Sequence, residues 1–404
     1  MKSFLLLAVV GPALASAASL GIVTVRTTEA CKGPLPVAVD LPAGVVAAET
    51  KALSLHPDEG TPLPGQVTVT PAGARVEFVV PEGLVAGARR EYRLEEALPD
   101  TKAFSTTDKD GAVRIDYDGH TLAAWQWKTL ADPKGGEKFP ISAYLHPVRT
   151  VSGFPVTALQ PKDHLHHLGV WWPWKMVEVD GKSYITWEMQ EGQGRHFSEK
   201  APAVQAGPVF TRLTAAAVTE IHPKDAPPKV VIDEESTITA WRPAGNIWLL
   251  DIRVRQKARD GKVTLPAYRY SGFSLRATES WTKDNSQLLT SEGQNRENAN
   301  GQTARWAVVG GQAPSGQAAV LMLSAAGAKG DPEKLRVWDS KAQNGMSFVN
   351  FNPVLEKPMP LDEAHPAVSD RSYRLVVADR ALEAAEAEAL WKTMAHPPEA
   401  SFHK

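Results

Sequence analysis

Residues 248–255 read WLLDIRVR, and the order of side chains in that octapeptide decides the fold class. On an extended chain Trp248, Leu250, Ile252 and Val254 share one face, while Leu249, Asp251, Arg253 and Arg255 share the other. One apolar and one wet face describe an antiparallel strand. Working outward, similar strands are readable at 230–241, 318–324 and 373–377, separated by Gly, Pro and Asn turns. Strand follows strand without a long helix between them. This predicts a mostly β protein built on a large antiparallel β-sandwich. A single helical pattern spans about 380–394, with Asp379 as its cap and Leu382, Ala385, Ala389 and Trp391 on its apolar side.

Upstream, residues 20–99 alternate short apolar runs with Pro and Gly. RVEFVV is the clearest case, with Val76, Phe78 and Val80 on one face and Arg75 and Glu77 on the other. The chain therefore divides into four parts: a signal peptide over 1–18, a small N-terminal β domain over 19–105, the main sandwich with its helix over 106–396, and a frayed tail over 397–404. The first part reads MKSFLLLAVVGPALASAAS, with a positive start at Lys2, an apolar run, and small residues at Ala13, Ala15 and Ala17. Cleavage after Ala17 or Ala18 leaves an exported chain, periplasmic or extracellular. No later stretch has the roughly 18 uninterrupted apolar residues of a membrane helix, so no membrane insertion is expected.

The formal net charge is −2 over 404 residues and no run of like charges occurs, which argues against nucleic acid as a partner and favours a neutral small one. Cys31 is the sole cysteine, so the fold rests on its core and not on intrachain disulfides. It reads as a small buried apolar group. Among 12 Trp residues most should be core, but exposed indole faces commonly stack on sugar rings.

The densest cluster of chemistry-bearing side chains is DHLHHLGVWWPW, 163–174. If the segment is extended, His164 and His166 project to one face and His167 to the other, so two imidazoles converge on one ligand. Asp163 precedes them, and Trp171, Trp172 and Trp174 follow as candidate walls of a cleft. His-x-His also supplies two nitrogens for a divalent metal, with Asp163, His146 or His196 as a third ligand. Downstream, ITWEMQEGQGRHF brings Glu188 and Glu191 near Arg195 and His196; paired carboxylates across a cleft suit glycoside cleavage. In YRYSGFSLRATESW, Arg276 and Thr278 oppose Phe273, Leu275 and Ala277, and Glu279 falls on the apolar side by Trp281. No GxSxG, HExxH, phosphate loop or dinucleotide fingerprint is present, so nucleotide chemistry is not expected.

With DHLHHLGVWWPW, the shorter SGFSLRA, ARWAVV and FVNFNPVL segments extend over about 115–377, and together they resemble the methane oxygenase PmoA-like family of secreted bacterial proteins. The resemblance implies a β-sandwich body, export and a role in carbohydrate breakdown. It carries over Asp163, His164, His166, His167 and Arg276 as motif positions. Methane oxidation is not expected, because a membrane oxygenase subunit needs several spanning helices. The expected function is an exported carbohydrate-active enzyme of hydrolase, lyase or epimerase type. Its catalytic set is His164, His166, His167, Asp163, Glu188, Glu191 and His196, and its substrate-binding set is Trp171, Trp172, Trp174, Arg195, Arg276 and Glu279. The alternatives are a non-catalytic sugar-binding sandwich and a metal-dependent oxidase using His164 and His166.

Overall fold

The structure of the protein, a computed structural model, describes residues 19–96, 102–130, 133–259, 261–326, 332–362, 364 and 370–404. The signal peptide expected over 1–18 lies outside these residues. The protein is mostly β, 53% strand and 6% helical, with its helix near the C-terminus.

Beside a four-stranded sheet of Lys182–Ile185, Met176–Val179, Val263–Leu265 and Met359–Pro360, two large antiparallel sheets form the main body. One has the strand order Lys334–Val337, Phe348–Asn352, Phe273–Arg276, Val170–Trp171, Tyr144–Val148, His120–Gln126, Ala112–Tyr117 and Phe104–Lys109. The other runs Gly194–Ser198, Phe210–Ile221, Lys229–Trp241, Ile247–Ala258, Asp370–Ala378, Gly316–Ser324, Trp306–Ala313 and Ser286–Thr290. Their inner faces share one core, in which Ile115, Trp125, Leu145 and Phe351 of the first sheet meet Leu213, Ile238, Leu250 and Leu375 of the second. Each such side chain contributes about 1.5–3 kcal/mol by leaving water. The main body begins at Phe104, because that strand already belongs to its first sheet; the boundary expected at 105 moves forward to precede it.

The octapeptide at 248–255 lies in the strand Ile247–Ala258, and Trp248, Leu250, Ile252 and Val254 all enter the core as their alternation predicts. Its other face is not wet throughout. Leu249 is buried with Leu390 and Trp391 of the helix, and Asp251 accepts hydrogen bonds from Trp241 Nε1 at 2.8 Å and Arg374 Nη2 at 2.8 Å. Only Arg253 and Arg255 are exposed. The helix, Ala384–Ala395, starts later than its sequence pattern predicts, and Glu383 stands at its N-cap in place of Asp379. Asp379 instead accepts the backbone N–H and the hydroxyl of Ser152, which ties it to a loop. Ala387, Leu390 and Trp391 form the buried side, while Ala385 is exposed.

A seven-stranded sheet builds the N-terminal domain, ordered Leu35–Pro42, Gly73–Val80, Leu63–Thr70, Ala52–Pro57, Arg89–Glu95, Ser19–Arg26 and Glu399–His403. The last strand corrects the expectation of a frayed tail. Glu399–His403 pairs with Ser19–Arg26, with Phe402 opposite Val23 and Ala400 opposite Val25, and both Ala400 and Phe402 pack on the domain's core. Cys31 is buried in that core, as expected. Among the described residues no helix is long and apolar enough to cross a membrane.

Candidate functional site

The His-rich segment is a pair of tight turns, not an extended strand. His164 N–H donates to Pro161 O at 2.9 Å and His167 N–H to His164 O at 3.0 Å, and Gln160 N–H closes the loop on His167 O at 2.8 Å. Gln160 Nε2 adds a bond to Leu165 O at 3.0 Å. Gly169 then turns the chain into the strand Val170–Trp171 with φ +78, where a side chain would meet Leu145 O at 2.6 Å. The turn must be glycine. Because the backbone curls, His167 does not point away from His164 and His166 as the extended reading predicts. One ring nitrogen from each of the three lies within 4.8 Å of the others, a spacing that can hold a metal ion.

Charged partners hold two of the three rings. Asp163 sits 3.0 Å from His164 Nδ1 and takes both of its oxygens to Arg276 Nη2 at 2.9 Å. Arg276 is fully buried and lies over Trp338 at 4.8 Å from the ring centroid. Glu188 places one oxygen 3.9 Å from His166 Nε2 and gives the other to Lys175. His167 is sealed by Trp171, Trp338 and Phe348, with ring centroids at 5.3, 5.4 and 5.0 Å. Burial is the main cause that lowers the His166 pKa to about 4, with His164 and Lys175 adding to it and Glu188 and Asp163 opposing it. Burial likewise holds His167 well below its ordinary range. Both rings are therefore neutral at pH 7, with a lone pair free for a ligand.

Residues 112–392 match a family of unknown function, DUF6807. The chain belongs to that family. The matched residues of this DUF6807 member include all three histidines, Asp163, Lys175, Glu188 and Arg276. No curated protein matches the chain.

Several residues expected at the site of this DUF6807 protein lie elsewhere. Trp172 is 1% exposed, stacked on Trp125 at 5.7 Å and bonded through Nε1 to Glu234 Oε1 at 2.6 Å. Trp174 is buried too, its Nε1 on Gln256 Oε1 at 3.2 Å. Neither indole has a face to stack on a sugar; only Trp171 borders the triad, and it is itself buried. Glu191 is exposed at the end of a single 3-10 turn, so it does not form a pair across a cleft with Glu188. Arg195 pairs with Glu220 at 3.1 Å and covers Phe197, away from the triad. Glu279 is exposed just past its strand; burial lowers the Arg276 pKa, and Glu279 is one of the charges that oppose this. His146 bonds Thr157 Oγ1 at 3.0 Å and supplies no third nitrogen to the group, a place His167 takes.

His196 lines a cavity of about 20 Å³ together with His166, Thr186 and Trp187, enough for one water. On its far side it approaches Glu234 Oε2 to 3.2 Å. The sequence reading missed Glu234, a buried carboxylate that also accepts Ser236 Oγ at 2.8 Å and Gln256 Nε2 at 2.7 Å. Burial alone would raise its pKa, but His196 and the Trp172 and Ser236 hydrogen bonds outweigh burial and lower it. A signal was present: Glu234 falls in phase with Ser236, Ile238 and Ala240, on the core face of its strand. Lys175 was missed as well, though a lysine directly after WWPW is what steadies Glu188.

Proposed function

We propose that this protein is an exported carbohydrate-active enzyme whose reaction centre is a divalent metal ion held by His164, His166 and His167. The observation that carries this reading is the convergence of three imidazole nitrogens within 4.8 Å. Nitrogens bound to one ion at about 2.0–2.1 Å stand no more than about 4.2 Å apart, so binding draws the rings together by a small movement. The donor set fits such an ion. His166 and His167 are held neutral by burial, and His167 Nδ1 is buried without a hydrogen-bond partner. His164 turns Nδ1 to Asp163, which leaves Nε2 as the nitrogen with the lone pair. When bound, the ion supplies Lewis-acid polarisation of a substrate oxygen.

The chain's own groups do the rest. Asp163 orients His164, and the buried Arg276 fixes Asp163. Glu188, held by Lys175, is the carboxylate placed to accept a proton, from the attacking water in hydrolysis or from a substrate carbon in elimination or epimerisation. The aromatic wall of Trp171, Trp338 and Phe348 keeps water from the inner side. Carbohydrate as the substrate class is supported by the resemblance of the His motif to PmoA-like proteins and by the near-neutral charge of the chain. Mature protein stripped with a chelator and reloaded with Zn²⁺, Mn²⁺, Fe²⁺ or Cu²⁺ is to be incubated with a panel of polysaccharides and oligosaccharides. Product release should need metal and should vanish in His166→Ala. Release unaffected by stripping, or none from any saccharide with any metal, would overturn the proposal.

A further inference from the structure

We infer that the protein carries a second ligand site, a groove for a neutral saccharide on the outer face of the strands Ser286–Thr290, Trp306–Ala313 and Gly316–Ser324. It shares no lining residue with the histidine triad and does not depend on the metal reading.

Register across the three strands builds the groove. Leu289, Val308 and Leu321 stand opposite one another and face the helix Ala384–Ala395, within its apolar cluster. Two residues further along each strand, on the same face, the rung is Gln287, Gly310 and Ala319. Two residues beyond that, Gln312 pairs with Gln317, and Gln312 N–H bonds Asn285 O at 3.1 Å. Along one continuous face, therefore, leucine and valine give way to carboxamides where the helix no longer covers the sheet. Ala381, Leu382 and Glu383, just before the helix, form the wall. Gly310 and Ala319 keep the floor low beside Gln287.

The hollow measures about 560 Å³, within the usual range of small-molecule sites. Its chemistry sets it apart from the other two large hollows. One of about 420 Å³ is lined by Glu59, Glu82, Arg90 and Arg242, and one of about 990 Å³ by Asp233, Glu235, Arg255 and Lys257. The 560 Å³ groove instead has five carboxamides, Asn285, Gln287, Asn295, Gln312 and Gln317, and Glu383 is its only ionisable side chain among the described residues. Gln287, Gln312 and Gln317 are exposed. Asn285 and Asn295 already bond their own loops, but Gln287, Gln312 and Gln317 each offer two donors and an acceptor, which matches hydroxyl groups that both give and receive, while an anionic ligand finds no counter-ion. The apolar rung beneath suits the C–H face of a sugar ring.

Isothermal titration of the full mature chain with maltohexaose, cellohexaose, xylohexaose and mannohexaose tests this. At least one should bind. The triple variant Gln287→Ala, Gln312→Ala, Gln317→Ala removes exposed side chains only, so its melting temperature should match the parent while its affinity falls by about tenfold or more. The double variant His164→Ala, His166→Ala should bind within about twofold of the parent, about three tenths of the tenfold step in free energy. A hexameric polygalacturonate should bind more weakly than its neutral counterparts. The inference is overturned if no neutral hexasaccharide binds, if the triple variant binds like the parent, or if the charged oligomer or a neutral extended peptide binds better. Loss of binding in the histidine variant with retention in the glutamine variant would also overturn it, and would move saccharide binding to the triad with the proposed function intact.

Discussion

Trp172 lies inside a twelve-residue motif of histidines and aromatics, yet its indole is sealed between Trp125 and Phe273 with Nε1 on Glu234. Its neighbour Trp171 borders the triad. Residue type alone does not distinguish the two: Trp171 ends the two-residue strand Val170–Trp171 and Trp172 follows it, a stretch too short to show a period. The histidines carry a sharper consequence. Burial lowers the pKa of His146 and His166 to about 4, with Arg149 and Lys134 contributing at His146. In the unfolded chain both return to about 6.5. Above pH 6.5 neither state binds these protons and stability is full; between 6.5 and about 4 the unfolded chain takes them up and the folded chain does not, so stability falls with pH. The melting temperature of chelator-treated protein should therefore begin to drop near pH 6.5, before most carboxylates titrate. A melting temperature that is flat from pH 7.5 to 5 would contradict this account of the buried imidazoles.

Elements differed in how openly the sequence announced them. The strand Ile247–Ala258 and the strand Gly73–Val80 were legible because their alternation picks out the side chains that enter the core, although Leu249, Glu77 and Val79 on the opposite faces are buried too. The site loop was not. Reading His164 and His166 as same-face residues assumed a strand, whereas the Pro161 and His164 carbonyls each close a turn, a backbone choice that leaves no periodic trace. The C-terminal strand was hidden for a different reason: five residues after a Pro-Pro pair look frayed until the free edge of Ser19–Arg26 is known to be waiting for them. That pairing has a testable cost. Ending the chain after Pro398 strips Glu399–His403 from the sheet, leaves the edge of Ser19–Arg26 unpaired, and removes Ala400 and Phe402 from the domain's core. The truncated protein should melt earlier, with early hydrogen exchange confined to Ser19–Arg26 and its neighbour Arg89–Glu95. Unchanged protection of those strands would show that the terminal strand is dispensable.

In the whole molecule, two facing sheets and the N-terminal domain's sheet, completed by Glu399–His403, provide the frame, and the triad sits where the turn at 161–169 meets the strand Phe273–Arg276. The fold class was legible because each strand repeats the same local pattern. The partners that complete the site were not, since Asp163 and Arg276 are 113 residues apart and Trp172 and Glu234 are 62 apart, and only the pairing of strands brings them together. What the frame achieves is to hold three imidazoles with a ring nitrogen of each within 4.8 Å of the others, and the most direct test is calorimetric titration of the metal-free protein with Zn²⁺ at pH 7. One ion per chain should bind, with His164→Ala, His166→Ala and His167→Ala each abolishing saturable binding and Asp163→Asn weakening it by about 10–100-fold, the usual effect of losing a carboxylate that orients a ligating histidine. Absence of stoichiometric binding by the parent protein, or binding that survives loss of any one of the three histidines unchanged, would contradict the account.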